Sequence, residues 1–239
     1  MSFFDYPVNF IRDARKVLDF SSIENLRKSA YLLPLMRSVR KHAKVRIPRL
    51  KALHRLAQDL DVLGIDGDIA EFGVWRGGSA AVLAIATQKS PNPRHIWMFD
   101  SFQGNPKPTR EDGNRMFVQY HDGWNKASSQ VVRDLFHGLN IPERRFSVVE
   151  GWFEDTFPSV TISKLALIHF DAETYASAKL TLEKYYDALQ PGGYLVYNSW
   201  KVRDGIRLAT EEFIKARKCH LKQFPIDGGI AMGFQKLSM

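Results

Sequence analysis

The residues best suited to chemistry are a glycine turn after a short apolar strand and an acid that ends the next strand. The turn reads Glu71-Phe-Gly-Val-Trp-Arg-Gly-Gly-Ser79, and the acid is Asp100, which closes a strand predicted over 95–100. Glycine lets a backbone approach a ligand closely, and a helix start offers unpaired N–H groups and a positive dipole end. An acid in this position can hold two vicinal ribose hydroxyls. The pattern therefore predicts a pocket for an adenosine-containing cofactor.

The glycine spacing distinguishes between such cofactors. A dinucleotide fingerprint reads Gly-x-Gly-x-x-Gly, whereas this turn reads Gly73-x-x-x-Gly77-Gly78, with Glu71 two residues before it. The turn lacks a glycine at the position where a pyrophosphate would approach the backbone most closely. The acid before the turn suits a ligand with an ammonium group. S-adenosylmethionine fits this description. For the turn taken alone, a tight connection without any ligand is the alternative.

The predicted site residues lie where strands end, because ligands gather at that edge of an open α/β sheet. The residues predicted to bind the cofactor are Glu71, Gly73, Val74, Trp75, Gly77, Gly78, Ser79, Asp100, Ser101, Phe102, Gly151, Trp152, Phe153 and Asp171. Asp171 is also the first candidate for the proton acceptor, and His121 is the second. Asp100 and Asp171 have an alternative role as caps of a turn and a helix. Trp152 and Phe153 have an alternative place in the core.

Alternating strands and helices must position these residues. The predicted strands are 68–74, 95–100, 146–151, 165–171 and 194–198, and the predicted helices are 79–88, 129–139, 175–189 and 205–217. A closing antiparallel pair is predicted over 220–226 and 230–236, turned at Asp227-Gly-Gly229. The alternation implies a mostly parallel sheet with one antiparallel strand and helices on both faces.

The chain is predicted to have two parts. Residues 1–66 form a basic helical extension or lid, with helices over 8–30 and 33–63, and residues 67–239 form the cofactor-binding domain. Within that domain, residues 101–128 read as an insert that acts as a lid or substrate loop, or else as a solvated excursion.

The charge is concentrated at the start of the chain. Residues 1–58 hold 13 Lys and Arg against 4 Asp and Glu, a net charge of +9, whereas residues 59–239 hold 21 against 22, a net charge of −1. One interpretation is attraction to phosphate in a nucleic acid, a nucleotide-sugar or an anionic membrane. The other is a solvated helical face or a basic lid. The helical arm is also a candidate for packing against a second subunit.

The bulk composition is that of a globular α/β domain. Of the 239 residues, 44% are hydrophobic and 25% are charged, and no apolar run approaches the ~20 residues that span a bilayer. The first residues do not follow a signal-peptide pattern, and Cys219, the single cysteine, excludes an internal disulfide and a cysteine-based zinc site. We therefore expect a cytoplasmic protein without a membrane span.

The chain resembles the TylF/macrocin O-methyltransferase family, class I S-adenosylmethionine-dependent enzymes that often methylate sugar hydroxyls of natural products. The matching segments are Glu71-Phe-Gly-Val-Trp-Arg-Gly-Gly78, Asp100-Ser-Phe-Gln-Gly-Asn-Pro106, Gly151-Trp-Phe-Glu-Asp-Thr-Phe-Pro158, Phe170-Asp-Ala-Glu-Thr-Tyr175, Pro191-Gly-Gly193 and Pro225-Ile-Asp227. The resemblance implies a Rossmann-like class I methyltransferase sheet. It also implies S-adenosylmethionine as the cofactor and O-methylation of a sugar or other small-molecule hydroxyl in natural-product or glycan biosynthesis.

One segment departs from this family. Its members commonly carry Asp-Asp-Tyr after the fifth strand, where the two acids join the acid after the fourth strand in binding a divalent metal. Here the segment reads Asn198-Ser199-Trp200, while Asp171 is retained. Hard cations such as Mg²⁺ prefer charged oxygen ligands, so we expect no metal. An intrinsically acidic acceptor, such as a phenol, a carboxylate or an amine, would suit a site without one.

Other functions remain open at this point. The same departure favours a cofactor-binding partner or assembly protein that has lost catalysis. The sequence pI of about 9.5 prompts a nucleic-acid methyltransferase, but no acceptor motif such as Asn-Pro-Pro-Tyr is present, so we expect no nucleic acid. A nicotinamide oxidoreductase is disfavoured by the glycine spacing.

Overall fold

The computed structural model describes residues 34–91 and 93–238. The helix predicted over 8–30 lies outside these ranges. One compact unit begins at Val39 and contains the whole sheet described here. The predicted division at residue 66 stays a prediction. No helix in the described ranges is long and apolar enough to cross a membrane.

The strands of the described chain form one seven-stranded sheet with the order β3-β2-β1-β4-β5-β7-β6. They are β1 (Asp68–Phe72), β2 (Ile96–Asp100), β3 (Phe146–Glu150), β4 (Leu165–Phe170), β5 (Leu189–Tyr197), β6 (Leu221–Ile226) and β7 (Ala231–Lys236). The first five strands pair in parallel, and β7 runs antiparallel to both β5 and β6. This confirms the predicted Rossmann-like sheet with one antiparallel strand.

The α-helices of the described chain connect or flank these strands. They are α1 (Ile47–Val62), α2 (Gly78–Ala86), α3 (Gly113–Gln119), α4 (Ser129–Gly138), α5 (Phe153–Thr156), α6 (Tyr175–Tyr185) and α7 (Asp204–Arg217), and a further helical segment over 34–39 precedes them. Side-chain caps mark two of their starts, since Ser128 accepts the N–H of Gln130 before α4 and Thr174 accepts the N–H of Ser177 before α6. Pro48 lies in the first turn of α1, where a missing N–H costs no hydrogen bond.

Several elements differ from the sequence prediction. The helix predicted over 33–63 is interrupted, since residues 34–39 are helical, Arg40–His42 form a 3-10 turn, residues 43–46 are not helical, and α1 begins only at Ile47. The helix predicted over 175–189 ends at Tyr185, and β5 already begins at Leu189, which pairs with Leu165. Its Pro191-Gly-Gly193 segment lies inside the strand, at a register shift in the pairing with β4, so it is a bulge and not the turn that precedes a strand. The polar insert over 101–128 contains α3, and α5 follows β3 directly.

An aromatic cluster supports the strand ends that carry the site. Phe72 of β1 and Phe99 of β2 stack with ring centroids 4.9 Å apart. Phe157 meets both rings edge-on at 5.6 and 5.5 Å, and Phe153 stacks on Phe157 at 4.8 Å. Buried aromatic pairs of this kind add stability beyond their buried area. They fix the last residues of β1 and β2 against α5.

Candidate functional site

A cavity of about 410 Å³ opens at the carboxyl ends of β1, β2, β4 and β5, the edge at which ligands bind in open α/β sheets. The predicted site residues that line it are Gly73, Val74, Trp75, Ser79, Asp100, Ser101, Trp152, Phe153 and Asp171. Those that do not line it are Glu71, Gly77, Gly78, Phe102, Gly151 and His121. The roles assigned to these residues stay predictions, whereas the structure now gives their positions.

The glycine turn is shaped by close approaches within the protein. Gly73 has a φ of +86°, and a Cβ there would lie 2.5 Å from the backbone nitrogen of Ala172, at the end of β4. A Cβ on Gly78 would lie 2.6 Å from the Cβ of Ala43 and from the backbone oxygen of His42. These contacts within the protein already exclude larger side chains at both positions. The two glycines therefore allow the turn to pack against the end of β4 and against residues 42–43.

Asp100 ties the glycine turn to the end of β2. Its Oδ2 accepts the backbone N–H groups of Val74 at 2.7 Å and Trp75 at 2.8 Å, and its Oδ1 accepts that of Phe102 at 2.7 Å. Burial raises the pKa of Asp100, and these backbone N–H groups oppose the shift. The turn-capping role is thus present in the structure, and the ribose contact stays a prediction for a carboxylate that lines the cavity.

Glu71 lies beneath the cavity and not on its wall. The Oγ of Ser79 donates a hydrogen bond to Oε1 of Glu71, and Nδ1 of His169 lies 3.0 Å from the same oxygen. Both Glu71 and His169 are buried, and Oε2 of Glu71 has no partner among the described residues. Burial lowers the pKa of His169, but hydrogen bonding and charge from Glu71 outweigh it, so the net shift is upward. Glu71 therefore orients Ser79, which lines the cavity.

Asp171 is a half-buried carboxylate at the end of β4. Burial raises its pKa to about 7, although the charge of His169 and a hydrogen bond from Asn198 act in the opposite direction, and Glu173 and Glu71 act with burial. The Nδ2 of Asn198 donates to Oδ1 of Asp171 at 2.6 Å. The structure thus places on the cavity wall a carboxyl group that exchanges its proton near neutral pH.

Arg49 was not predicted, yet it lies at the centre of this corner of the cavity. Its Nη1 donates to Oδ1 of Asn198 at 2.7 Å and to the backbone oxygen of Asn198 at 2.9 Å, and its Nε lies 3.3 Å from Oδ2 of Asp227. Burial lowers the pKa of Arg49, and Asp171 and Asp227 oppose the shift, so the guanidinium stays charged. In the sequence Arg49 is one of many basic residues, and no local pattern distinguishes it from the others.

The donor atoms at the ends of β4 and β5 do not fit a divalent cation. Both polar atoms of the Asn198 side chain are engaged, one with Asp171 and one with Arg49. The Oγ of Ser199 lies 3.3 Å from Oε1 of Glu173, whose other oxygen pairs with Arg203. A divalent cation prefers several unpaired oxygen ligands, whereas the side chains of Asn198 and Ser199 are engaged within the protein and two arginines offset part of the acidic charge.

Potential ligand atoms of Glu71, His169 and Asp171 lie within 4.8 Å of one another. However, the His169 and Glu71 atoms in this group form a hydrogen bond with each other. An ion would have to replace that bond inside a buried pair.

The insert contributes to the cavity, but His121 does not. Asn105, Pro106 and Asn125 line the wall, and the Nζ of Lys44 donates a hydrogen bond to Oδ1 of Asn125. His121 is exposed, and its Nδ1 lies 3.3 Å from the backbone oxygen of Asp122. The structure does not bring His121 together with Asp171, so its role as a proton acceptor stays a prediction without geometric support.

The segment after β3 forms another wall. Trp152 and Phe153 line the cavity together with Glu154, which was not predicted. Phe153 also packs edge-on against Phe72 at 5.9 Å, so it belongs to the core and to the site at once. Gly151 has a φ of +141° and leads the chain from β3 into α5.

Comparison with known proteins gives one family and several relatives. The family described as Macrocin-O-methyltransferase (TylF) matches residues 24–235. The chain is 29% identical over 177 residues to demethyldecarbamoylnovobiocin O-methyltransferase of Streptomyces niveus, which covers 72% of this chain and 67% of that protein. It is 29% identical over 179 residues to mycinamicin III 3''-O-methyltransferase of Micromonospora griseorubida, covering 72% and 70%. The solved structure of the O-methyltransferase NovP aligns with a TM-score of 0.74 and 25% identity, covering 82% of this chain and 83% of that one.

Proposed function

The chain belongs to the macrocin O-methyltransferase (TylF) family, and we propose that it transfers the methyl group of S-adenosylmethionine to an oxygen of a small-molecule acceptor without a divalent metal. The observation that carries this proposal is the carboxyl group of Asp171, which lines the cavity with a pKa near neutral. S-adenosylmethionine supplies a methyl group already activated on a sulfonium, so the protein contributes mainly alignment and a proton acceptor.

The glycine-turn side of the cavity is proposed to hold the donor. The Asp100 carboxylate offers about four acceptor sites, and backbone N–H groups occupy two at Oδ2 and one at Oδ1, so a site on Oδ1 is left to accept a ribose hydroxyl. Trp75, Trp152 and Phe153 give apolar faces for the adenine. The volume of about 410 Å³ lies within the range of ~300–1,000 Å³ typical of small-molecule sites.

Asp171 is proposed to take the proton of the acceptor. As the new carbon–oxygen bond forms and the carbon–sulfur bond breaks, the acceptor hydroxyl must lose its proton to a base. A base with a pKa of about 7 is ionised in a large fraction at neutral pH and still binds a proton well. Asn198, which donates to Oδ1 of Asp171, leaves the other carboxylate oxygen to face the acceptor.

The acceptor is proposed to be an acidic hydroxyl, such as a phenol, on a natural product or glycan conjugate. The relatives named above act on natural products. A plain sugar hydroxyl holds its proton far more tightly than Asp171 does, and here no metal would lower its pKa. The pKa of a phenol is much closer to that of Asp171 than the pKa of a sugar hydroxyl is. The weakly basic carboxylate of Asp171 supports this class of acceptor.

Calorimetric titration with S-adenosylhomocysteine, in EDTA and again in Mg²⁺, tests the donor and the metal. We expect binding of the same affinity in both buffers, because the residues on the glycine-turn side need no metal. Absence of binding in both would reject the proposal. Binding that appears only with Mg²⁺ would reject its metal-independent part.

A panel of phenolic and sugar acceptors then tests the reaction, with transfer of a labelled methyl group as the readout. Binding of S-adenosylhomocysteine without transfer to any acceptor would favour a cofactor-binding protein that does not catalyse. Transfer to sugars at the same rate as to phenols would reject the proposed acceptor class.

A further inference from the structure

We infer that the guanidinium of Arg49 takes the place of a divalent cation at the ends of β4 and β5: it supplies the positive charge beside Asp171 and keeps a metal ion out. The inference concerns the same cavity and rests on the proposed methyl transfer. It makes Arg49 a positioning residue for the acceptor.

Arg49 is held from two sides. Near the start of α1, its Nη1 makes two hydrogen bonds to Asn198, at 2.7 and 2.9 Å, and its Nε faces Oδ2 of Asp227 at 3.3 Å. The side chains of Arg49 and Asp227 are only 11% and 10% exposed. Charged pairs buried to this degree lose little of their attraction to solvent screening. The guanidinium is therefore fixed in position, unlike a surface arginine.

Asn198 links this cation to the proposed base. Its amide oxygen accepts from Arg49, and its amide nitrogen donates to Oδ1 of Asp171 at 2.6 Å. The neutral amide can satisfy both neighbours at once, because it offers one acceptor end and one donor end. An aspartate here would have no proton to give Asp171 and would place two carboxylates in contact. The asparagine thus suits a site with an arginine and no metal.

Two of the three acidic side chains at this corner are already paired with arginines within the protein. Arg203 pairs with Glu173, and Arg49 faces Asp227 and lies near Asp171. A divalent cation would enter beside a fixed guanidinium and meet strong repulsion in a partly buried site. The positive charge of Arg49 therefore excludes a metal ion by itself, in addition to the effect of the uncharged side chains of Asn198 and Ser199.

Arg49 can also do part of what a metal would do. A metal lowers the pKa of a bound hydroxyl and holds the resulting anion. A guanidinium remains charged and donates hydrogen bonds to an anionic oxygen, but it acidifies a hydroxyl less. Nη2 of Arg49 makes no hydrogen bond within the described residues, whereas Nη1 and Nε face Asn198 and Asp227. This donor is the one that we assign to the acceptor oxygen.

Electron paramagnetic resonance of Mn²⁺ tests the exclusion without any turnover. We would titrate Mn²⁺ into the wild type, into a variant with Asn198→Asp and Ser199→Asp, and into a third protein that adds Arg49→Gln to that pair. We expect no site in the wild type, a weak site in the double variant, and a site at least about tenfold tighter in the third protein, a gain of about 1.4 kcal/mol.

Arg46 supplies the matched control. It is also near Asp227, at 3.6 Å, but its side chain is 60% exposed and the structure gives it no bond to Asn198. Adding Arg46→Gln to the double variant should leave its Mn²⁺ affinity unchanged within about twofold. Equal gains from Arg46→Gln and Arg49→Gln would overturn the inference. So would a wild type that binds Mn²⁺ as tightly as the third protein.

The positioning role has a separate readout. Arg49→Gln should raise KM for an acidic acceptor about tenfold or more, with partial rescue in Arg49→Lys, while the affinity for S-adenosylhomocysteine stays within about twofold of wild type. An unchanged KM would overturn this role. If the wild type bound no S-adenosylhomocysteine, the proposed function would fail by itself, and the Mn²⁺ titrations would still decide on exclusion.

Discussion

The two sides of the cavity are built in different ways. On the glycine-turn side (Gly73, Trp75, Ser79 and Asp100), the polar contacts are made largely by backbone N–H groups within about one βαβ unit of the chain. On the Asp171 side (Asp171, Glu173, Asn198 and Arg49), they are made between side chains that come from distant elements. Arg49 and Asn198, for example, are 149 residues apart in sequence.

This difference determines which substitutions each side of the cavity can tolerate. Backbone contacts survive many substitutions, because they depend on the path of the chain and not on the identity of side chains. Side-chain contacts change with a single residue, and the contacts of Asn198 with Arg49 and Asp171 depend on its amide group. We infer that a fold of this kind can keep its donor side while its acceptor chemistry changes.

The largest expected effect is on the rate of methyl transfer, and it distinguishes the Asp171 side of the cavity from the glycine-turn side. Asp171→Asn should lower the rate of methyl transfer by about 10²–10⁴-fold, because the acceptor would lose its base. The affinity for S-adenosylhomocysteine should stay within about threefold, since the glycine-turn side is untouched. Single-turnover kinetics and calorimetry measure the two quantities.

The wild-type rate should also follow the ionisation of this carboxyl group. We expect kcat/KM to rise with pH up to about 7 and then to level off, since only the carboxylate accepts a proton. A flat profile from about pH 5 to about pH 9, together with full activity of Asp171→Asn, would remove Asp171 from the mechanism.

The second effect concerns stability and the contact between the two sides. Gly73→Ala places a Cβ 2.5 Å from the backbone nitrogen of Ala172, next to Asp171, and also forces a φ of +86° on alanine. We expect the free energy of unfolding to fall by about 3 kcal/mol or more. Gly64→Ala is the control, because its φ is +66° and nothing lies within 4 Å, so it should cost only about 1 kcal/mol. Equal losses in chemical denaturation would mean that backbone strain alone matters.

The sequence predicted the first side far better than the second. The strands β1 to β4 end within one or two residues of their predicted ends, because apolar runs and glycine or acidic punctuation are local signals. Asp100 and the glycine turn were also predicted from local signals in the sequence. The close packing of Gly78 against Ala43 was not predicted, and its role toward the cofactor stays a prediction.

The second side depends on contacts that no local pattern contains. Arg49 was grouped with a basic arm, and only the folded chain brings it to Asn198. The bulge in β5 was also missed, because Pro191-Gly-Gly193 has the composition of a turn and only pairing with β4 makes it part of a strand. Long-range pairing overrides local composition in both cases.

The third effect is the pH dependence of stability. Because the pKa of Asp171 rises on folding from its ordinary value of 3.8 to about 7, the folded protein keeps a proton that the unfolded chain releases between these values. Stability should therefore fall as pH rises through this window, by about 2 kcal/mol for a half-buried group, and the loss should be complete above it. The difference in unfolding free energy between wild type and Asp171→Asn measures this contribution. A difference that does not change with pH would contradict the raised pKa.

The smallest effect tests whether the two sides are independent. Ser79→Ala removes the hydrogen bond that Oε1 of Glu71 accepts, which should cost about 1 kcal/mol of stability and a few-fold in affinity for S-adenosylhomocysteine. Ser159→Ala is the control, because this exposed hydroxyl bonds only to the backbone oxygen of Thr156. It should change neither quantity measurably.

Ser79→Ala has a second readout, because Glu71 also contacts His169, whose ring lies near Asp171. The potential ligand atoms of these three residues are within 4.8 Å of one another. If the two sides are independent, the midpoint of the rate profile set by Asp171 should stay where it is in Ser79→Ala. If the midpoint moves by about half a pH unit or more, Glu71 and His169 couple the glycine turn to the proposed base. Removal of the Ser79 hydroxyl would then change the pKa of Asp171 through the buried pair of Glu71 and His169.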